Sequence, residues 1–183
     1  GGGGRGIRIV TNDKELHDGF ETVTSESIAA VGKSAIIVEK FLEKTRHIEY
    51  QMCRDHHGNS VHLFERECSI QRRNQKLIEQ TPSPVVDDAK REEIGEIVVR
   101  AAEAVDYTNL GTAEFLRADN GEFYFIEINA RLQVEHPISE MVSGLDFVKL
   151  QIDIANGEPL PFKQKDLKMN GYAIECRINA EDT

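Results

Sequence analysis

The chain has 183 residues, of which 39% are hydrophobic and 30% charged; 22 basic against 32 acidic residues give a formal net charge of -10. This is the make-up of a domain with a real core rather than of a disordered chain. It excludes a transmembrane helix, because no apolar run approaches the ~20 residues a span requires, and it argues against a general nucleic-acid binder, which needs a net basic face.

A local Arg/Lys cluster can still hold a small anion on an acidic protein. Cys53, Cys68 and Cys176 are widely spaced, odd in number and free of any Cys-x-x-Cys pair. They are therefore expected to be buried small hydrophobes in a reducing cytoplasm, not zinc ligands or a disulfide framework.

The chain opens on Gly1-Gly2-Gly3-Gly4-Arg5-Gly6 and stops after Asp182-Thr183 with no closing element. A fragment cut inside a functional loop is expected. Glycines let backbone N–H groups approach a phosphate closely, although a linker would look similar. Ile7 to Val10 reads as a short strand. Thr11-Asn12-Asp13 caps a short helix from about Glu15 to Thr24, and a second covers Ser27 to Val31. Ala35 to Glu39 reads as a buried strand. From His47 to Cys53 the pattern alternates, with Ile48, Tyr50 and Met52 on one side and His47, Glu49 and Gln51 on the other. Asp55 to Asn59 is a turn, and Val61 to Arg66 returns as the partner strand. Ser69 to Lys76 is dense in donors and reads as a basic loop; Arg72, Arg73 and Lys76 suit phosphate or bicarbonate. Pro82 and Pro84 mark another loop. Asp87 opens a helix to about Val105, with Ile94, Ile97, Val98, Ala101 and Val105 on its apolar face. A hairpin runs from Thr112 to Asn129. Asp146 caps a helix from Phe147 to Ala155, stopped by Asn156-Gly157 and Pro159. Gly171 to Ile178 is a final strand. Mixed helices and antiparallel hairpins make the class α+β.

The hairpin carries the chemistry. Asn120-Gly121 is a strong two-residue turn signal. Counting back from it places Glu114 opposite Glu127, and period 2 puts Asn129 on the same face. Two facing carboxylates repel unless a cation lies between them. Glu114, Glu127 and Asn129 thus form a hard-oxygen cluster suited to Mg²⁺ on substrate phosphates; the bland alternative is a solvated acidic face. If the chain stays extended, Arg131, Gln133 and Glu135 share that face. Arg131 can fix a small oxyanion, and Glu135 can act as a general base. On the final strand Arg177 can hold an anion, with a Glu175–Arg177 pair as the simpler reading.

The glycine run, His47-Ile48-Glu49, Glu67-Cys68-Ser69-Ile70-Gln71-Arg72-Arg73, the stretch from Phe123 to Pro137 and Glu175-Cys176-Arg177-Ile178-Asn179-Ala180-Glu181-Asp182 together resemble biotin carboxylase, the ATP-grasp component of biotin-dependent carboxylases. The motifs follow the family's order from end to end. The resemblance implies an incomplete ATP-grasp fold, with 1–41 the remainder of the lid subdomain and 42–183 a truncated C-terminal subdomain. It implies that ATP phosphorylates bicarbonate to carboxyphosphate and that CO₂ passes to biotin on a carrier protein. Glu114, Glu127 and Asn129 would hold Mg²⁺ or Mn²⁺. Glu135 would be the base. Lys76, Arg131, Gln133 and Val134 (through its backbone) would hold bicarbonate, and Arg177 the biotin enolate oxygen. Gly3 and Gly4 would close over ATP, and Glu39, Lys40, Phe41, Leu42, His47, Gln71 and Asn74 would contact it. At 74 the family commonly has His; Asn still hydrogen bonds but carries no charge. The implied partners are a biotin carboxyl carrier protein and a carboxyltransferase component, in a homodimer or larger assembly. The implied location is the cytoplasm, or the mitochondrial matrix in a eukaryote. The runner-up readings are another ATP-grasp ligase, of the carbamoyl-phosphate synthetase or carboxylate–amine kind, and a non-catalytic nucleotide-binding fragment. The fragment alone is expected to be weakly active or inactive.

Overall fold

A computed structural model describes residues 7–32 and 35–180. Gly3 and Gly4 lie outside the described residues. The chain divides into two compact units, 1–43 with 72–75 and 44–71 with 76–183.

The first unit holds one helix, α1 (Asp13–Val31), where two short ones were expected. Asn12 caps it by accepting from the Glu15 N–H at 3.0 Å, and the Glu15 carboxylate reaches back to the Thr11 N–H at 2.8 Å. No Gly or Pro interrupts it at the expected break. Instead the hydroxyls of Thr22, Thr24 and Ser25 fold back onto the carbonyls of Asp18, Phe20 and Glu21 and leave the helix intact. It ends at Gly32, whose left-handed φ of 71° suits a residue without Cβ. The strands expected at 7–10 and 35–39 are irregular chain. Ile37 is 81% exposed, so its run has no covering layer among the described residues.

The second unit is built on an antiparallel six-stranded sheet. Its strands are β1 (Arg46–Arg54), β2 (Ser60–Arg72), β3 (Gln75–Thr81), β4 (Asn109–Arg117), β5 (Phe123–Asn129) and β6 (Ala173–Cys176). Their order is β5-β4-β1-β2-β3-β6. Central β1 is sandwiched on both faces. Ile48, Tyr50 and Met52 pack under α2 (Asp88–Ala104) with Ile94, Val98 and Ala102. Cys53, with Val61 and Leu63, packs under α4 (Phe147–Ala155) through Phe147, Leu150 and Ile154. The alternation in β1 is real, but its polar side is not solvated: Glu49 and Gln51 are fully buried. Asp146 caps α4 by accepting from Lys149.

The buried stripe of α2 is rotated from the expected one. Ile94, Gly95, Val98 and Ala102 face inward, while Ile97 and Val105 are exposed. The cause is His62, a buried ring that lies against Gly95; a Cβ there would come within 2.5 Å of it. Gly95→Ala is therefore expected to destabilise the protein by about 1–3 kcal/mol, the usual cost of overpacking, despite alanine's better helix propensity. The midpoint of urea unfolding reads this directly, and an unchanged or higher midpoint would contradict the close packing.

The stretch read as a basic loop is a hairpin instead. β2 runs on to Arg72, and Arg73 and Asn74 both take positive φ, as the tight turn into β3 requires. The final strand is shorter than expected, at Ala173–Cys176. Cys53 and Cys68 are buried as expected, but Cys176 is exposed on this edge strand.

Candidate active site

The polar face of β1 supplies His47, Glu49 and Gln51. Beside it, β2 supplies Arg66, β3 Lys76 and Glu79, and β4 Thr112 and Glu114. All belong to the second unit.

At the centre is the Lys76 ammonium. It donates to Glu114 Oε1 at 2.7 Å, to Glu135 Oε1 at 2.7 Å and to Glu49. Three donors meet three carboxylates, so the ammonium is saturated. Burial alone would lower the Lys76 pKa. The surrounding carboxylates, Glu49 foremost, outweigh it and hold the pKa above the ordinary lysine range. Burial likewise opposes ionisation of Glu114, but His47 and Lys76 overcome it and bring Glu114 down to about 2. The His47 Nε2 lies 3.3 Å from Glu114 Oε2, at ion-pair range but not aligned as a hydrogen bond.

Around this core stands Arg66, fully buried. Its Nε donates to Glu49 at 2.6 Å; its other N–H groups reach Gln51, Ser139, Thr112 and Gln133. Gln133 thereby offers its amide N–H to Glu114 Oε1 at 2.9 Å. Glu135 is 2% exposed. Its second oxygen accepts from Arg177 at 2.8 Å, and the Arg177 Nε donates to Glu79 at 2.7 Å. The simpler alternative, a Glu175–Arg177 pair, thus gives way to bonds to Glu79 and Glu135.

Glu114 does pair with Glu127, and Thr112 with Asn129. The route differs from the expected one. The loop is Asp119-Asn120-Gly121, closed by Ala118 and Glu122, with Gly121 at a φ of 87°. That shifts the register by one, so Phe115 faces Phe125; an extra residue on β5, Ile126, then restores it. Asn129 Nδ2 donates to Glu127 at 3.4 Å. One buried carboxylate, one exposed carboxylate and one amide oxygen on a single strand face fit a hard divalent cation.

The stretch after β5 is not extended. It turns at Val134-Glu135 into α3 (His136–Ser143), a helix the sequence reading missed. Pro137 in its first turn and Gly144 at its left-handed end were the available signals. Gln133 and Glu135 reach the cluster through this turn, not by strand alternation. Arg131 is exposed and lies 3.5 Å from Asn129 Oδ1, and Val134 is exposed. Gln71 donates to the Cys68 carbonyl at 2.8 Å. Glu39, Lys40, Phe41, Leu42 and Asn74 belong to the first unit. Glu49, Arg66 and Glu79, all fully buried, are site residues that sequence reasoning did not assign.

Among the described residues, two further sets of potential ligand atoms lie within 4.8 Å of one another, His47/Glu49/Glu114 and Glu49/Cys68/Glu135. Burial, then Glu49, pushes the Cys68 thiol well above its ordinary range, so the second set offers no thiolate at neutral pH.

Residues 1–163 match the family model for the carbamoyl-phosphate synthase L chain, ATP binding domain. The chain belongs to that family. Its similarity to curated members covers it entirely. The 2-oxoglutarate carboxylase small subunit of Hydrogenobacter thermophilus is 52% identical over 182 residues, which are 100% of this chain and 39% of that protein. A biotin carboxylase of Nostoc sp. is 52% identical over 100% of this chain and 41% of its own length. The chain therefore spans about two-fifths of the length of these relatives. Among solved structures, the biotin carboxylase domain dimer of the Hydrogenobacter thermophilus enzyme, in complex with MgADP, ADP and bicarbonate, superimposes with a TM-score of 0.95 at 52% identity, covering 100% of this chain and 40% of that one. The biotin carboxylase–β,γ-ATP complex from Campylobacter jejuni gives a TM-score of 0.95 at 48% identity, covering 100% and 41%. The fold of this family member is thus α+β, as the order of elements indicated, and a partial ATP-grasp, as the resemblance implied. No described helix is long and apolar enough to cross a membrane.

Proposed function

We propose that the protein is the biotin carboxylase component of a biotin-dependent carboxylase. The observation that carries this reading is Glu135, a buried carboxylate held between the Lys76 ammonium and the Arg177 guanidinium at 2.7 and 2.8 Å. Such a carboxylate can take the proton of bicarbonate while the two cations hold the anion that results. Lys76, Arg131, Gln133 and the Val134 backbone would bind bicarbonate, and Arg177 would turn to the biotin enolate oxygen. Glu114, Glu127 and Asn129 would hold Mg²⁺ or Mn²⁺, whose chemistry when bound is to neutralise the ATP phosphates. The nucleotide contacts would be Gly3, Gly4, Glu39, Lys40, Phe41, Leu42, His47, Gln71 and Asn74. In this reading 1–41 belongs to the lid subdomain and 42–183 to the C-terminal subdomain. The carrier protein that bears biotin and a carboxyltransferase component are the partners. A dimer or larger assembly accords with relatives described as subunits and as a domain dimer.

The test is ADP release by the protein at the full length its gene encodes, with and without bicarbonate and free biotin. Turnover is expected to require bicarbonate and to rise with biotin. Glu135→Gln is expected to lose on the order of 10²- to 10⁴-fold in kcat, the usual contribution of a general base. Turnover that ignores biotin but answers to ammonia or to a carboxylate would reassign the protein to another ATP-grasp ligase. Mg-dependent nucleotide binding with no turnover would reduce it to a binding module.

A further inference from the structure

The edge of the sheet behind Arg177 holds a pairing the mechanism does not use. On β3 and β6, Glu79 stands directly opposite Glu175. Facing carboxylates on neighbouring strands repel when both are ionised. Glu79 is fully buried, and one oxygen of each side chain, Glu79 Oε2 and Glu175 Oε2, is buried without a hydrogen-bond partner among the described residues. The other Glu79 oxygen accepts from Arg177. A buried acceptor left bare costs free energy, and on directly opposed cross-strand residues one proton can satisfy two such oxygens together.

We infer that Glu79 and Glu175 share one proton, carried on Glu175 and donated to the free Glu79 oxygen, and that this pair is a positioning device for Arg177. With the proton in place the pair bears one negative charge, which matches the one guanidinium bonded to it. Arg177 is then held by Glu79 on one side and left facing Glu135 on the other. Loss of the proton puts a second charge on the pair and draws Arg177 away from Glu135. Burial, the largest influence, raises both carboxyl groups above their ordinary range. Arg177 opposes this for both, and Glu135 adds to it for both. His136 at the start of α3 and Arg66 on β2 also act on Glu175, and both favour its ionised form.

The effect on catalysis rests on the biotin carboxylase reading; the shared proton does not. The experiment therefore has two arms, both on the full-length protein. Infrared difference spectra of the parent against Glu175→Gln and against Glu79→Gln are expected to show, at neutral pH, a protonated-carboxyl band in the parent that each variant lacks. In both variants an amide N–H replaces the shared proton. Absence of the band from both differences overturns the proposal, since both carboxylates are then ionised. The second arm is the pH profile of biotin-dependent turnover. The parent is expected to lose activity at alkaline pH as the proton leaves, while Glu175→Gln keeps its neutral-pH kcat and loses that limb. Glu175→Ala, which has no donor, is expected to fall on the order of 10²-fold in kcat, the scale of a misplaced reacting group. An alkaline limb unchanged in Glu175→Gln overturns the positioning role. If the parent itself shows no biotin-dependent turnover, the biotin carboxylase reading has failed and the infrared arm alone decides the shared proton.

Discussion

Arg66→Leu is expected to lower the unfolding free energy by about 3–5 kcal/mol, the range for removing one partner from a buried ion pair. Arg66 spends all its donors on five different residues: Glu49, Gln51, Ser139, Thr112 and Gln133. They come from β1, from β4, from the turn before α3 and from α3 itself. Leucine replaces none of those bonds and leaves Glu49 buried without its guanidinium. Burial opposes ionisation of Glu49, and Arg66 is the largest influence keeping its pKa low. Arg66→Lys retains the charge but offers three donors where five acceptors wait, so it is expected to recover only part of the loss. Urea unfolding of both variants at neutral pH measures this. A loss below about 1 kcal/mol for Arg66→Leu would place the residue among neutral surface pairs and contradict its role as the joint between sheet and turn.

The same residue explains what the sequence could and could not reveal. Local signals were readable because their partners are neighbours in the chain. Asn12, Asp87 and Asp146 each cap a helix by accepting from an N–H three residues on. The Asn-Gly turn located the β4–β5 hairpin. The facing of Glu114 and Glu127 was legible too, though the one-residue loop error and the Ile126 bulge cancelled to give it. Arg66 was not legible. Its partners Thr112 and Gln133 lie 46 and 67 residues away, and no periodicity links them. Glu49 read only as the polar side of an alternating strand because nothing local says that α3 and its preceding turn cover that side. Glu79 was hidden for a similar reason, since its partner Arg177 is 98 residues distant. The residues marked by motif are those that can face a ligand. The residues that hold them in place are marked only by the fold.

Lys76→Met is expected to change the sign of the site's response to pH. In the parent, Glu114 is held from its ordinary 4.5 down to about 2. Its stabilisation is therefore complete above about 4.5 and is lost as the pH falls through that window. Lys76, with its pKa raised, contributes below the ordinary lysine value and loses that contribution only at strongly alkaline pH. Methionine has nearly the same reach and no charge. Glu49, Glu114 and Glu135 then converge on an apolar atom, with burial and mutual repulsion acting to raise the pKa values of Glu49 and Glu114 once the ammonium that lowered them is gone. Raised carboxyl groups stabilise the fold while protonated and cease to do so as the pH rises through their folded values. The deficit of the variant against the parent is thus expected to be small near pH 4 and to widen to about 3–5 kcal/mol at pH 7. Urea midpoints for the two proteins across that range give the comparison. A deficit independent of pH would mean that packing, not charge, is what Lys76 supplies. Bicarbonate-dependent turnover is expected to vanish in the variant at every pH, because protonated carboxyl groups restore the fold at acid pH without restoring the cation.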